Sequence, residues 1–255
     1  MKAKRYKKEK VDNNINRVIT LIVFIIFVLT MIISGIKIFK WLKENKKSKD
    51  IINEIKNSIS IDNQIDSVEK YKIDFESLKQ KNIDTIAWIK VNGTDIEYPI
   101  VQTTNNNFYL THTFDKSYNS AGWAFMDYEN KCDGTDKNIV IYAHNRKDGS
   151  QFGTLKKILT DDWQNNEKNF SIPFITENEK SEYKVFSVYK VEKEEYYITK
   201  KFKSNNEFQE FIDEIKSRSK KDFNIDVTPN DEILTLSTCA DNNKYRVVLH
   251  AKKIK

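Results

Sequence analysis

The sequence has 255 residues, of which 39% are hydrophobic and 31% are charged. It is therefore long enough for one large domain and too polar for a polytopic membrane protein. With 6 Gly, 3 Pro and 2 Cys, collagen-like, low-complexity and disulfide-framework architectures are excluded. The net charge of +6 is uneven, because the first 50 residues carry +9 and the other 205 residues carry −3. We therefore predict no nucleic-acid partner for the bulk of the chain.

An uncharged segment of 19 residues, at 18–36, lies between two basic clusters near the N-terminus. At about 1.5 Å per residue such a helix spans roughly 28 Å, close to the ~30 Å hydrocarbon core of a bilayer. A cleaved signal peptide is the alternative, but its apolar region is shorter and ends at an A-x-A-like site, which is missing here. We predict an uncleaved transmembrane anchor at 18–36, preceded by a basic stub at 1–17.

The orientation of this anchor is indicated by the flanking charges. Seven Lys and Arg residues precede the segment, and six Lys residues follow it closely. This small excess favours a cytoplasmic N-terminus and an external large domain, with a cytoplasmic domain on a membrane tether as the alternative. The basic excess then lies beside anionic lipid and carries no information about a substrate.

The region that follows the anchor, at 41–80, has a helical pattern. An apolar stripe along one side of this helix is formed by Ile51, Ile52, Ile55 and Ile59. Asp74 is a candidate N-cap for a second short helix. We interpret 37–73 as a stalk and N-terminal helix, and 74–255 as the main domain.

From about residue 84 the pattern changes to short β-rich runs separated by turn residues. The predicted strands lie at 86–91, 96–101, 122–127, 138–144, 183–191, 233–239 and 245–252. Asn92-Gly93 predicts a hairpin between the first two. Seven or eight short strands are typical of a mainly β fold, either a closed barrel or a sandwich. One helix interrupts them, from near Ser204 to Lys220-Lys221, and we expect it to cross one end of the barrel.

Three residues are candidates for a nucleophilic site. Cys239 and His144 each close a predicted strand, where a side chain can reach a cleft. Arg246 begins the strand after Cys239, and a turn at 241–243 makes these two strands a hairpin with Arg246 beside Cys239. A Cys, a His and an Arg on neighbouring strand ends supply a thiol nucleophile, its acid/base and a cation for a developing oxyanion.

Each candidate also has a structural interpretation, because a lone Cys is usually a small core hydrophobe. We assign structural roles to His250, inside a strand, and to His112, in a polar loop. Cys132 lies in a turn, and a disulfide with Cys239 is an alternative that would consume the nucleophile. Neither a C-x-x-C nor an H-E-x-x-H motif is present, so we expect no metal and no cofactor.

The residues around the candidate nucleophile resemble a known signature. Residues 235–239 read Thr-Leu-Ser-Thr-Cys and are followed by Arg246, which resembles the T-L-x-T-C…R signature of sortases. Sortases are the cysteine transpeptidases that attach surface proteins to the cell wall of Gram-positive bacteria. Further stretches resemble class B sortases in particular, at 82–91, 96–102, 107–110 and 141–152. The similarity covers most of residues 74–252, with Ala143 where the family usually has a glycine before the histidine.

This resemblance implies an eight-stranded β-barrel with Cys239, His144 and Arg246 as the catalytic triad. It implies that the domain faces outward on its N-terminal anchor, so that the protein is a single-pass protein of the cell membrane facing the cell wall. The implied reaction cleaves the Thr–Gly bond of an LPxTG-like or NPxTG-like sorting signal through a thioacyl intermediate. An amine of the peptidoglycan then resolves that intermediate.

The resemblance also implies the partners and the binding residues. The partners are the sorting-signal peptide of a surface protein, a peptidoglycan precursor or cross-bridge amine, and the cell membrane through residues 18–36. Ser237 and Thr238 flank the nucleophile and are expected to line the substrate groove. Tyr197 is a further candidate for the groove, because the family has an aromatic residue in the region before the helix. The alternative is that Tyr197 is an ordinary surface aromatic residue.

Two other functions compete with this one: a cell-wall Cys/His peptidase or hydrolase, and a non-catalytic membrane-anchored β-barrel binding module. Papain-like enzymes place the Cys before the His, whereas here His144 precedes Cys239 by 95 residues, which argues against them. A hydrolase differs from a transpeptidase in that an added amine leaves its products unchanged.

Overall fold

A computed structural model of the chain describes residues 2–240 and 244–255, with side chains for residues 15–238 and 244–255. The chain divides into two compact units, residues 1–47 and residues 48–255. The helices of the described part are α1 (Lys2–Lys56), α2 (Phe75–Lys81), α3 (Asp161–Gln164) and α4 (Asn205–Ser217). The strands are β1 (Ile59–Ile61), β2 (Tyr71–Ile73), β3 (Thr85–Lys90), β4 (Glu97–Val101), β5 (Phe125–Met126), β6 (Asn138–Tyr142), β7 (Ser171–Thr176), β8 (Lys180–Glu192), β9 (Ile233–Ala240) and β10 (Tyr245–Lys253).

Helix α1 is long and apolar enough to cross a membrane. Its most apolar 18-residue window has a mean hydropathy of 2.9, and none of that window is buried. The hydroxyls of Thr20 and Thr30 donate to the carbonyls of Asn16 and Phe27 within the same helix. Such internal hydrogen bonds are required where no water is available. The predicted anchor at 18–36 lies entirely within this helix.

Eight strands of the second unit form a closed barrel in the order β10-β8-β7-β3-β4-β5-β6-β9, which confirms the predicted eight-stranded barrel. Strands β6 and β9 are parallel neighbours, and β10 returns antiparallel to β9. Parallel strands end at the same rim of a barrel. The ends of β6 and β9 and the start of β10 therefore meet at one rim.

The two faces of the strands are buried by different partners, because successive side chains of a strand point to opposite faces. Leu234 and Leu236 of β9 belong to the core inside the barrel, together with Val247 of β10. Ile233 and Val248 belong to a second core cluster, which includes the apolar stripe of α4. The barrel wall at β9 and β10 is therefore buried on both sides.

Helix α4 lies against the outer wall of the barrel and not across its end, which corrects the expectation from the sequence. Its apolar residues Phe208 and Ile212 share a cluster with Phe186, in the middle of β8. The hydroxyl of Ser204 caps the helix by accepting from the backbone N–H of Glu207. The helix ends at residue 217, three residues before the predicted Lys220-Lys221.

The region 41–80 is only partly helical. Helix α1 ends at Lys56, and β1 and β2 then form a two-stranded antiparallel sheet. The prediction of a continuous helical pattern is wrong there, since Ile59, placed in the helical stripe, instead begins a strand. The predicted N-cap is confirmed, because Asp74 Oδ1 accepts from Ser77 N at 2.9 Å.

Strand β7 was not among the strands predicted from the sequence. Pro173 pairs with Glu182 of β8 and lacks the N–H that a ladder requires. Its neighbours Ile172 and Phe174 are nevertheless buried, which supports the strand through packing. Strand β5 is also shorter than predicted and comprises two residues of the expected 122–127.

Candidate active site

A groove with a volume of about 390 Å³ opens at the rim where β6 and β9 end. It is lined by Asn106, Asn107, Leu110, Phe125, Tyr142, Ala143, His144, Lys193, Glu194, Glu195, Tyr197, Ile198, Ser237, Thr238 and Arg246. Five residues predicted from the sequence lie in this lining: His144, Tyr197, Ser237, Thr238 and Arg246. The groove therefore collects residues that are up to 140 positions apart in the chain, from Asn106 to Arg246.

The backbone brings the three candidate catalytic residues to one rim of the barrel. β6 ends at Tyr142, so His144 lies two residues past the strand, whereas the sequence predicted that it closes the strand. In the β6–β9 register Tyr142 is opposite Ser237, so His144 and Cys239 each lie two residues further along. In the β9–β10 register Cys239 is opposite Arg246, which confirms the predicted hairpin. Neighbouring strands are about 4.8 Å apart. The side chain of Cys239 and the predicted turn at 241–243 lie outside the described residues.

The imidazole of His144 is held by a backbone carbonyl. Its Nε2 lies 2.7 Å from the carbonyl oxygen of Leu110. A carbonyl oxygen only accepts hydrogen bonds, so Nε2 carries the proton in this geometry. Nδ1 is then the nitrogen that takes up or releases a proton.

Gly122 makes room for this arrangement. Its φ is +62°, a backbone conformation that residues other than glycine rarely adopt. A Cβ at this position would lie 2.6 Å from the carbonyl oxygen of Tyr109 and 2.9 Å from Cδ2 of His144. The chain therefore passes close behind the imidazole ring only because residue 122 has no side chain.

The strand ends that carry His144 and Cys239 are tied to each other through Thr238. The hydroxyl of Thr238 donates to the carbonyl oxygen of Ala143 at 2.7 Å, and the Ala143 N–H donates to the carbonyl of Ser237 at 3.4 Å. Ala143 does not have a positive φ, so an alanine fits at this position without backbone strain. Alanine in place of the family's usual glycine before the histidine therefore causes no backbone strain here.

Tyr197 is buried at the base of the groove, which removes the alternative of a surface position. It is 3% exposed, and its hydroxyl lies 3.1 Å from the hydroxyl of Ser237. The short 3-10 helix Tyr196–Ile198 carries it, in the connection between β8 and α4. We call residues 196–200 the strap. The groove positions of Ile198 in the strap and of Asn106 and Leu110 in the opposite wall were not predicted. Short loops such as these have no periodic sequence pattern.

His250 and His112 have structural positions. His250 is fully buried in β10, where its Nδ1 lies 2.8 Å from Thr235 Oγ1 and its Nε2 lies 2.8 Å from the Tyr189 hydroxyl. His112 stacks on the ring of Phe108, with 4.1 Å between the ring centroids. Both residues are absent from the groove lining.

The burial of His250 predicts a pH dependence of stability. Burial lowers the pKa of His250 to about 3, whereas an unfolded histidine has a pKa near 6.5. The contribution of neutral His250 to the free energy of unfolding is therefore present above about pH 6.5. It is lost progressively as the pH falls from there towards 3. Between pH 7 and 5.5 we expect a loss of about 1 kcal/mol in the free energy of unfolding. Urea unfolding of the wild type and His250→Gln checks this, since the variant should show a flatter dependence over that interval. An equal slope in both proteins would contradict the assignment.

Cys132 is a free cysteine at the other end of the barrel. It lines a small cavity with Glu232, the residue before β9. From the first residue of β9 to Cys239 the strand advances roughly 20 Å, whereas a disulfide requires Cα atoms within about 7 Å. The disulfide between Cys132 and Cys239 is therefore excluded in this fold.

Within the residues that the structure describes, no group of three or more His, Cys, Asp or Glu side chains could hold a metal ion. The arrangement at the rim is instead an imidazole and a guanidinium on either side of a strand that carries a cysteine. Such a site suits nucleophilic chemistry on a carbonyl group, because it places a proton carrier and a fixed cation next to one thiol-bearing position.

Comparison with known proteins gives consistent results. The family model described as Sortase domain matches residues 89–254. The curated protein Sortase B of Listeria monocytogenes is 32% identical over 227 residues, covering 88% of this chain and 92% of the relative. Sortase B of Staphylococcus aureus is 32% identical over 228 residues, with the same two shares.

Solved structures show the same similarity. Sortase B from Bacillus anthracis has a TM-score of 0.73 and 31% identity, and the match covers 84% of this chain and 99% of that one. Sortase B from Clostridium perfringens has a TM-score of 0.67 and 36% identity, with 71% and 100% covered. The similarity therefore extends through both the sequence and the arrangement of the barrel.

Proposed function

Because the chain belongs to the sortase family and is a class B cysteine transpeptidase, we propose that it cleaves the Thr–Gly bond of an LPxTG-like or NPxTG-like sorting signal. The acyl part is transferred to an amine of peptidoglycan, which attaches a surface protein to the cell wall. The observation that carries this proposal is that residue 239 on β9 and residue 246 on β10 are paired at the groove where β6 ends, two residues before His144. Family membership argues against a non-catalytic binding module.

In the proposed mechanism the thiolate of Cys239 attacks the carbonyl carbon of the signal's threonine. A C–S bond forms, and the carbonyl oxygen becomes an oxyanion that Arg246 stabilises with its permanently charged guanidinium. His144 delivers a proton through Nδ1 to the leaving glycine nitrogen, and the C–N bond breaks. A thioester and a free amine remain.

The second half of the reaction reverses these roles. The peptidoglycan amine attacks the thioester carbon while His144 accepts a proton from it. The C–S bond then breaks, an amide forms, and Cys239 is regenerated as a thiolate. No oxidant, reductant or cofactor is needed for this balance.

The groove residues have distinct roles in this proposal. Ser237 and Tyr197 form the base on which the signal peptide lies, because their hydroxyls bind each other at 3.1 Å. Thr238 lines the groove and also ties the end of β6 to β9 through its bond to Ala143. The groove lies between the strap and the segment around Leu110.

We propose the membrane arrangement from α1 and its flanking charges. Residues 1–17 form the cytoplasmic stub, 18–36 the transmembrane anchor, 37–73 the stalk and N-terminal helix, and 74–255 the catalytic domain. An apolar, unburied window of α1 supports the anchor, and the excess of basic residues before it supports a cytoplasmic N-terminus. The catalytic domain then faces the cell wall.

The test uses the full-length protein in detergent micelles with a panel of LPxTG-like and NPxTG-like peptides. Products are identified by mass spectrometry, with and without an added glycine-based amine. We expect a new product in which the threonine carbonyl is joined to the amine. If cleavage occurs but the products are the same with and without amine, the protein is a hydrolase and the transfer step is refuted.

A substitution at Gly122 tests the position of His144. Gly122→Ala places a Cβ against the imidazole ring and against the carbonyl of Tyr109, so the ring must shift. We expect kcat/KM to fall by about 10²-fold, because displacing a catalytic group by about 1 Å has that effect. The matched control is Gly134→Ala, which has a φ of +76° but no atom within 4 Å of the new Cβ. Equal losses in both variants would show that only backbone strain matters.

A further inference from the structure

The carboxylate of Asp127 lies buried beneath the groove, at the end of β5. Its side chain is 1% exposed. Its backbone N–H donates to Val140 O at 2.9 Å, and its carbonyl accepts from Gln102 Nε2 at 2.8 Å and from Asn130 N at 3.0 Å. The carboxylate therefore projects from a backbone that is fixed on both sides.

One oxygen of this carboxylate binds three different segments. Oδ2 of Asp127 accepts from Asn106 Nδ2 at 3.0 Å, from the Tyr142 hydroxyl at 2.9 Å and from Lys200 Nζ at 3.0 Å. Asn106 lies in the loop between β4 and β5, Tyr142 is the last residue of β6, and Lys200 is the last residue of the strap. Asn106 and Tyr142 themselves line the groove.

These three segments form both walls and the base of the groove. The loop with Asn106 also carries Leu110, whose carbonyl holds His144. The strap carries Tyr197 and Ile198 on the opposite side. A single acceptor atom thus joins the histidine-holding wall, the β6 strand end and the strap.

We infer that Asp127 is a positioning residue for the sorting-signal groove, whose carboxylate sets the separation of the two walls. This inference rests on the proposed function, because the groove is the site assigned to the signal peptide. The carboxylate touches no reacting atom, so it affects how well the peptide is bound more than the chemical step. A groove of altered width holds an extended peptide less tightly.

The charge balance supports this role. Asp127 is paired with Lys200, whose side chain is 14% exposed, while the second partner of Lys200, Glu129, is 41% exposed. Burial alone raises the pKa of Asp127, but the Glu129 amide and the Lys200 ammonium outweigh it, so that the pKa is lowered. The carboxylate is therefore ionised at neutral pH and holds all three donors.

The strap has a second attachment that does not involve Asp127. Asn138 Nδ2 donates to the carbonyl of Thr199 at 2.9 Å and to that of Tyr197 at 3.3 Å. Loss of the Asp127 contacts therefore loosens the end of the strap at Lys200 but leaves its middle attached to β6. A change at residue 127 should alter the groove without detaching the strap.

The experiment compares Asp127→Asn with Glu129→Gln in the full-length protein in detergent micelles, using the peptide that the wild type cleaves best. Both substitutions neutralise a carboxylate that pairs with Lys200 at similar size, but only the first neutralises the acceptor shared by Asn106, Tyr142 and Lys200 and replaces one of its oxygens by an NH2 donor. We expect Asp127→Asn to raise KM about tenfold, equivalent to ~1.4 kcal/mol, with kcat within about twofold of the wild type. Glu129→Gln should leave both constants within about twofold, because exposed ion pairs contribute little.

A second measurement does not depend on catalysis. Hydrogen–deuterium exchange should become faster in residues 103–110 and 198–202 of Asp127→Asn, and stay unchanged in β9 and β10. If Asp127→Asn does not fold, Lys200→Met, which removes only the contact between the strap and Asp127, is measured in the same way. Faster exchange in Lys200→Met is then expected at 198–202 alone.

The outcomes separate the two proposals. An inactive wild type would refute the proposed function. The hydrogen–deuterium exchange of Asp127→Asn would then still show whether Asp127 holds the two walls of the groove. An active wild type, combined with an unchanged KM and unchanged exchange in Asp127→Asn, would overturn the inference about Asp127. A loss confined to kcat would overturn it as well, because it would place the effect on the chemical step.

Discussion

Cys239→Ala is expected to abolish cleavage of the sorting peptide, with kcat/KM lowered by about 10⁴-fold or more, because the reaction has no other nucleophile. Cys239 lies at the rim of the groove on β9, between β6, which leads to His144, and β10, which carries Arg246. Peptide cleavage followed by mass spectrometry measures it. Unfolding by urea should show nearly unchanged stability.

The chain provides a matched control for this substitution. Cys132→Ala removes the other thiol, which lies at the opposite end of the barrel. We expect this variant to retain kcat/KM within about twofold of the wild type, because a substitution remote from the chemistry removes no transition-state contact. Loss of activity in Cys132→Ala together with retention in Cys239→Ala would reverse the assignment of the nucleophile.

Arg246→Ala is expected to lower kcat by about 10²- to 10³-fold, the range found when one donor to a developing oxyanion is removed. Arg246 lies opposite Cys239 in the β9–β10 register and lines the groove. Arg246→Lys keeps the charge but not the planar fork of donors, so it should recover only part of the activity. Steady-state kinetics with the same peptide give the values.

The control for Arg246 is Lys252→Met on the same strand. Lys252 lies six residues further along β10 and pairs with Asp231 at 3.0 Å, away from the groove. Its loss removes a cation from the protein but not from the groove, so kcat should stay within about twofold of the wild type. If both variants lose activity equally, net charge and not position explains the effect.

Most of the strands were predictable from their short β-rich runs, but these runs fit a barrel or a sandwich, and the closed eight-stranded barrel was predicted only by the resemblance to sortases. Residues 233–239 and 245–252 alternate between two buried faces, and the turn residues between them predict a hairpin. Four residues of sequence separate Ala240 from Tyr245, so the juxtaposition of Cys239 and Arg246 was also predictable. The position of His144 beside them required the parallel pairing of β6 and β9, which no local pattern indicates.

The parts that were not predicted have physical causes. Strand β7 contains Pro173, which weakens the local strand signal, and its place is decided by burial of Ile172 and Phe174. The strap and the loop with Asn106 have no periodicity, and long-range hydrogen bonds to Asp127 hold them. Such contacts join residues up to 73 positions apart and are invisible in a linear pattern.

A thioester between Cys239 and the sorting signal is detectable in the intact mass of the full-length protein. The protein is incubated with a cleavable sorting peptide without an amine and quenched in acid, and the modified residue is located by peptide mapping. We predict a mass increase equal to the acyl fragment ending in threonine, located on Cys239 and removed by an added amine. Cleavage without an adduct on any cysteine, or an adduct on Cys132 alone, would contradict the account.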